Sequence, residues 1–261
     1  MTRSCAGLMK RVRTDRLRRC LAAVLVLCIL ASGAKLAREV RQVELIRSRD
    51  AELHRIMEEL PEGKGKEEGN SAFQSLKEAN PDLRAILAFD SGLIRLPVVQ
   101  SEEPEYYLRR DFYGNESPEG IPFFDSNTRM DDTNMVIYGH HVYYDEDAQF
   151  SPLAKLTDQQ FYEQNSRFSL IFEDERREYV ITHVYILTLE EYQDYDYRQP
   201  VFSSEEEWTR WIALPERKNL VSSEEKLEYG DRFVTFQTCR AWQEDTRIIV
   251  LGKEKAESHL A

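Results

Sequence analysis

Cysteine is scarce in this chain, and its distribution limits the possible chemistry. Only four occur in 261 residues, and three of them, Cys5, Cys20 and Cys28, lie before or inside an apolar N-terminal run. Cys239 is therefore the one thiol of the remaining chain and cannot form a disulfide within it. Cys-x-x-Cys spacing is also absent, as is a second histidine at helical spacing from His140. We predict no metal site and no cofactor, and Cys239 is either an inert core residue or a reactive thiol.

Long apolar runs are missing as well. Residues 20–34 form a run of 15 residues without a charge, which is short against the roughly 20 of a spanning helix. Arg19 and Lys35 flank the run and can extend their side chains towards the interface. Two interpretations stay open: a signal peptide cleaved near Ser32-Gly33-Ala34, or an uncleaved anchor. We favour the anchor because an amphipathic helical pattern continues directly from it.

Basic residues are concentrated at the N-terminus and depleted elsewhere. The formal net charge is −12; residues 1–34 hold seven Lys and Arg against one Asp, so the rest of the chain carries −18. An acidic body excludes a nucleic-acid partner, because phosphate contacts need clustered Lys and Arg. The basic segment predicts an N-terminus in the cytoplasm and a body outside the membrane.

The chain divides into five predicted segments. Apolar residues at helical spacing over 35–60 predict a helix that lies against the domain or, alternatively, pairs in a coiled coil. A polar break at 61–69 predicts a joint. The segments are a cytoplasmic basic segment (1–19), a transmembrane anchor (20–34), a helical spacer and linker (35–70), a folded domain (71–253) and a tail (254–261).

The folded domain has the pattern of a β-barrel or sandwich with helical inserts. Helices are expected at 71–79, 157–162 and 204–213, where Ser204 and Glu207 have capping-box spacing. Trp208, Trp211 and Ile212 share one face of this last helix. The expected strands are Leu83–Ala88, Gly92–Val99, Thr133–Tyr138, Ser169–Phe172, Glu178–Leu189, Arg232–Gln237 and Arg247–Gly252.

Cys239 and Arg247 are expected to lie side by side. Strand alternation puts Cys239 on the face of Thr235 and Gln237, at the end of its strand. The segment 240–246 is short enough for a hairpin connection, so Arg247 would open the neighbouring antiparallel strand. The alternative for Arg247 is a surface cation that pairs with nearby acidic residues.

His140 follows another strand, after Tyr138-Gly139, and the adjacent His141 must face elsewhere. Taken alone, His140 is interpreted as an ordinary loop histidine. Together with a thiol and a guanidinium it completes an acyl-transfer set: a nucleophile, a group that moves protons and a donor for an oxyanion.

These segments resemble the motifs of class B sortases. Asn134-Met-Val-Ile-Tyr-Gly-His-His141 is similar to their histidine motif, Thr235-Phe-Gln-Thr-Cys239 to their cysteine motif, and Arg247-Ile-Ile-Val250 to their arginine strand. Phe73–Asp82, Leu96–Gln100 and Glu105–Phe112 match in the same order, so the resemblance spans 71–253. Gln237, where the class often has Ser, departs from the pattern and puts the preferred sorting signal in doubt.

The resemblance implies a mainly β fold: a closed sortase-type barrel of about eight strands, with N-terminal helices and a helical insert before the cysteine strand. It implies a membrane-anchored transpeptidase of the outer surface of Gram-positive bacteria. Such enzymes cut the sorting signals of surface proteins after threonine and join the threonine to an amino group of a cell-wall precursor. A thiol hydrolase or a non-catalytic peptide-binding scaffold on the same fold remains the alternative.

The resemblance also implies roles for single residues. Cys239 would be the nucleophile, His140 the general acid and base, and Arg247 the oxyanion or substrate-positioning group. The substrate-binding residues would be Leu108, Tyr138, Gln237 and Thr238.

Overall fold

The computed structural model describes residues 25–38, 40–41, 44, 48, 53, 55–57, 66–240 and 243–255, with 66–72, 239–240 and 243–245 described by their backbone alone. The chain separates into two units, Met1–Leu53 and His54–Ala261. In the first, residues 25–38 are helical and carry exposed apolar side chains, including Leu25 and Leu27, each 65% exposed. None of the helices described has the length and hydropathy needed to cross a membrane. Residues 20–24 of the predicted anchor lie outside the described residues.

The second unit is a closed barrel of eight strands, as expected. The strands are β1 (Leu83–Phe89), β2 (Arg95–Val99), β3 (Phe123–Phe124), β4 (Asn134–Tyr138), β5 (Arg167–Ile171), β6 (Arg176–Thr188), β7 (Phe233–Arg240) and β8 (Gln243–Glu254). Around the barrel the order is β1-β2-β3-β4-β7-β8-β6-β5. The β2–β3 and β4–β7 pairs are parallel, and all other neighbours are antiparallel.

Alternation along the strands separates two apolar clusters. Residues from every strand, such as Leu87, Ile137, Phe236 and Val250, fill the barrel interior. The alternate positions of β6, β7 and β8 pack outwards under the helical insert. Since apolar burial is the main favourable contribution to folding, both faces of these strands are stabilised.

The helical insert before β7 is confirmed and is longer than predicted. The insert helix runs over Glu205–Lys218 and continues through Pro215. Ser204 begins it by accepting a hydrogen bond from the Glu207 backbone N–H, as expected of an N-cap. Its buried face contains Trp208, Trp211 and Ile212, as predicted. It ends at Asn219, whose side chain accepts from Val184 N and donates to Thr182 O, docking the helix end on β6.

Three local predictions need correction. The N-terminal helix covers Lys66–Ala79 and so begins inside the predicted polar break at 61–69, because Lys and Glu are good helix formers. A 3-10 helix, Ser151–Thr157, precedes the helix Gln159–Asn165, which starts at the Asp158 cap rather than at Thr157. β6 stops at Thr188, where a capping box with Glu191 starts the helix Leu189–Asp194.

Candidate active site

His140 follows the end of β4, and Cys239 lies near the same end of the neighbouring parallel strand β7. Tyr138 of β4 is paired with Gln237 of β7, and the Gly139 backbone N–H donates to Gln237 O at 3.1 Å. His140 and Cys239 each come two residues after this pair. Parallel pairing therefore carries both residues to one edge of the barrel.

Arg247 lies opposite Cys239 in the next strand pair. β7 and β8 are antiparallel, and the Cα partner of Cys239 is Arg247. The register then shifts, and Arg240 pairs with Gln243, so both strands extend into the 240–246 segment that was expected to be only a connection. The Arg247 side chain is half-buried, and its Nη1 donates to Thr246 O at 3.1 Å.

A main-chain carbonyl contacts the imidazole of His140. His140 Nε2 lies 2.6 Å from the backbone oxygen of Leu108, which belongs to the 3-10 turn Tyr106–Arg109. The half-buried Leu108 is thus beside His140 through its backbone. The sequence could not predict this contact, because every residue has the same backbone carbonyl.

His141 is placed differently from its neighbour. It is 9% exposed and its ring lies 5.5 Å from the ring of Tyr143. Burial lowers the pKa of His141, and the nearby Glu146 carboxylate acts in the opposite direction. Its Nδ1 has no hydrogen-bond partner among the residues that the structure describes. The two adjacent histidines therefore occupy separate environments, as strand alternation predicts.

Tyr138 and Gln237 are both held by polar contacts. The Tyr138 hydroxyl donates to Asp125 Oδ2 at 2.8 Å, and burial, followed by this carboxylate, raises the pKa of Tyr138. The buried Tyr197 donates its hydroxyl to Gln237 Oε1. Tyr197 comes from the segment before the insert helix, and sequence reasoning missed it because an isolated tyrosine in a loop carries no distinctive pattern.

Thr238 is fully buried, with 0% of its surface exposed. Alternation turns it to the same face as Phe236, a residue of the barrel interior. Its hydroxyl is one of the buried polar atoms without a partner within the described part of the chain. A substrate cannot reach this side chain without a local change in structure, and its substrate-binding role stays a prediction. No group of three or more potential metal ligands occurs in the described ranges.

A protein-family comparison matches the barrel. The model of the Sortase domain matches residues 89–255. Sortase B of Staphylococcus aureus (strain NCTC 8325 / PS 47) is 24% identical over 234 residues, which cover 88% of this chain and 93% of that protein. Sortase B of Listeria monocytogenes serovar 1/2a (strain ATCC BAA-679 / EGD-e) is 25% identical over 185 residues, 69% of this chain and 73% of that protein.

A solved structure has the same fold. The X-ray structure of a mutant form of Clostridium perfringens sortase B has a TM-score of 0.71 and 26% identity, covering 80% of this chain and 98% of that chain.

Proposed function

The chain belongs to the sortase family, a family of cysteine transpeptidases, and we propose on this basis that it cleaves a C-terminal sorting signal after threonine. The threonine is then joined to an amino group of a cell-wall precursor. In this proposal Cys239 is the nucleophile, His140 moves protons and Arg247 stabilises the oxyanion. Residues 71–253 are the catalytic domain, and no cofactor or metal takes part.

One structural relationship carries this proposal. Cys239 is the Cα partner of Arg247, and His140 follows the strand that lies parallel to the cysteine strand on its other side. Three consecutive neighbours in the barrel, β4, β7 and β8, therefore contribute one residue each to a single edge. Nucleophile, proton carrier and oxyanion donor are the three parts that acyl transfer through a thioester requires.

The reaction has two halves. Cys239 Sγ attacks the carbonyl carbon of threonine, Arg247 stabilises the negative oxygen of the tetrahedral intermediate, and His140 protonates the leaving amine. A thioester remains on Cys239. His140 takes a proton from the incoming amine, which attacks the thioester, and the thiol is released as the new amide forms.

The substrate groove in this proposal contains Leu108, Tyr138 and Gln237, together with Thr238, whose buried side chain would have to be exposed by a local change in structure. Leu108 adjoins His140, and Gln237 precedes Cys239 by two residues on the same strand face. The amide nitrogen of Gln237 makes no hydrogen bond within the part of the chain that the structure describes, while its oxygen accepts one from the Tyr197 hydroxyl. The donor groups of this amide are suited to a substrate carbonyl.

We place the catalytic domain on the outer face of the cell membrane, attached through a single N-terminal anchor at 20–34. The exposed apolar side chains of residues 25–30 and the basic residues before them support an anchor with a cytoplasmic N-terminus. The partners are surface proteins that bear a sorting signal and a peptide amine of the cell-wall precursor.

The test is incubation of the full chain, in detergent, with a sorting-signal peptide and an amine nucleophile. A peptide–amine conjugate supports the transpeptidase. A free carboxylic acid in the presence of excess amine identifies a thiol hydrolase instead, and unchanged peptide that nevertheless binds identifies a scaffold.

A further inference from the structure

The contact between His140 and Leu108 determines which ring nitrogen carries a proton. A carbonyl oxygen can only accept a hydrogen bond, so His140 Nε2, at 2.6 Å from Leu108 O, must be the protonated nitrogen. In the neutral imidazole the other nitrogen, Nδ1, then has the free lone pair. A carbonyl thus performs the orienting task that carboxylates perform in other nucleophile–histidine sites.

The turn that presents this carbonyl is anchored from one side by Tyr107. Tyr107 is 3% exposed; its hydroxyl donates to Asp82 Oδ2 at 2.8 Å and accepts from Asn80 Nδ2 at 3.1 Å. Burial raises the pKa of Tyr107, so the hydroxyl keeps its proton. Asn80 also donates to Phe112 O at 2.7 Å. The turn around Leu108 is therefore fixed to the end of the N-terminal helix.

Gly120 packs against the same carbonyl from the other side. A Cβ at position 120 would lie 2.6 Å from Leu108 O and 2.7 Å from Tyr107 O, closer than any side chain permits. Its φ of 58° is also in the left-handed region that favours glycine. Only glycine lets the chain approach the Leu108 carbonyl this closely without displacing it.

We propose that the Leu108 carbonyl holds the Nε2 proton of His140, that Nδ1 is the nitrogen that takes and returns the proton, and that Tyr107 and Gly120 are positioning residues. The proposal rests on the proposed transpeptidation. In the first half-reaction the Sγ–C bond forms, the C–N bond breaks, and the thiol proton passes through Nδ1 to the leaving amine. In the second, the proton of the incoming amine passes through Nδ1 to the departing sulfur.

The direct test is ¹⁵N NMR of the full chain labelled at histidine. The chain has five histidines, so the His140 signals are assigned by their loss in His140→Gln. In the neutral ring, we expect Nε2 to be the protonated nitrogen. A neutral ring with its proton on Nδ1 overturns the proposal, whether or not the enzyme is active. A correct tautomer in an inactive enzyme would instead contradict the proposed function alone.

Two variants test the positioning residues. Tyr107→Phe removes only the anchoring hydroxyl, and we expect kcat to fall roughly five- to tenfold, the effect of one lost hydrogen bond, with KM little changed. Tyr106→Phe is its matched control: it removes the neighbouring hydroxyl of the same turn, which makes no hydrogen bond to the residues that the structure describes, and kcat should stay unchanged. Equal losses in both variants would contradict the anchoring role.

Gly120→Ala should displace the Leu108 carbonyl and lower kcat on the order of a hundredfold, the effect of misplacing a catalytic group by about 1 Å. Gly92→Ala is the control, because Gly92 also has a positive φ, 78°, but open space around its Cβ. In Gly120→Ala the tautomer preference of His140 should weaken, whereas in Gly92→Ala it should be retained. A folded Gly120→Ala protein with the original tautomer and kcat overturns the proposal.

Discussion

Gly139 lies directly against the ring of Phe150: a Cβ at position 139 would come within 2.4 Å of Phe150 Cδ2. Phe150 is fully buried in the barrel interior, and its backbone N–H donates to His140 O at 3.0 Å. Gly139, the residue before His140, thus lies between the end of β4 and the ring of Phe150. Glycine is required here for close approach.

We expect Gly139→Ala to lower both stability and turnover. Forcing a methyl group into a packed site costs about 1–3 kcal/mol, and the shift of the backbone would move His140. Thermal melting and peptide transfer measure the two effects. Gly252→Ala is the control, because its Cβ would meet Phe168 Cζ at 2.5 Å at another place in the barrel. If Gly252→Ala loses as much turnover per folded molecule as Gly139→Ala, the loss is a general effect of overpacking the barrel and not of moving His140.

His140 and His141 should differ sharply when each is replaced. His140→Ala removes the proposed proton carrier, and a loss of about a hundred- to ten-thousandfold in turnover is expected for general acid–base catalysis. His141→Ala should mainly change stability, since that ring is buried and packs near Tyr143. Peptide-transfer rates compare them. A larger catalytic loss in His141→Ala would reverse the assignment.

Arg247→Lys tests whether charge alone suffices at this position. Lysine keeps the cation but replaces a planar set of donors with one flexible point donor. We expect a loss of about a hundred- to a thousandfold in rate, the usual cost of one oxyanion donor. Binding of uncleaved peptide to the Cys239→Ala protein should change less when Arg247→Lys is added. Near-normal turnover of Arg247→Lys would support the alternative that Arg247 is an ordinary surface cation.

Acid should destabilise the domain through His183. Burial lowers the pKa of His183, and Glu216, at 3.6 Å from Nε2, only partly opposes this. The unfolded chain therefore binds more protons below the ordinary histidine pKa of about 6.5, and stability falls as pH falls through that range. Melting curves between pH 8 and pH 5 should show a smaller decline in His183→Gln. Some decline remains, since burial of His141 acts in the same direction. An unchanged slope would show that His183 does not contribute.

Much of the barrel could be predicted because its strands obey simple patterns. The alternation of Val234 and Phe236 with Thr235 and Gln237 predicts which face enters the interior, and the short connection after Cys239 predicts its pairing with Arg247. Two-residue β3 could not be found in this way, because a segment so short has no period. The continuation of the insert helix past Pro215 also escaped prediction, since tertiary packing overrides the local penalty of proline.

The part of the site that sequence reasoning missed lies in main-chain atoms and loop contacts. The Leu108 carbonyl carries no residue-type signal, and its position depends on Tyr107 and Gly120, which are separated along the chain. The capping box at Thr188 and Glu191 was also missed, although its spacing is recognisable in the sequence and marks the end of β6. Patterns thus locate elements, whereas close contacts between loops require the assembled fold.

In the proposed reaction Cys239 forms a thioester with the threonine of a sorting signal. The most direct test of this step is intact-protein mass spectrometry after the full chain is mixed with a sorting-signal peptide in the absence of an acceptor amine. We predict a mass increase equal to the peptide fragment that ends in threonine less one water, mapped to Cys239 and lost on addition of amine. Cys239→Ala should give no adduct and should melt at nearly the same temperature. An adduct on another cysteine, or transfer that persists in Cys239→Ala, would contradict the account.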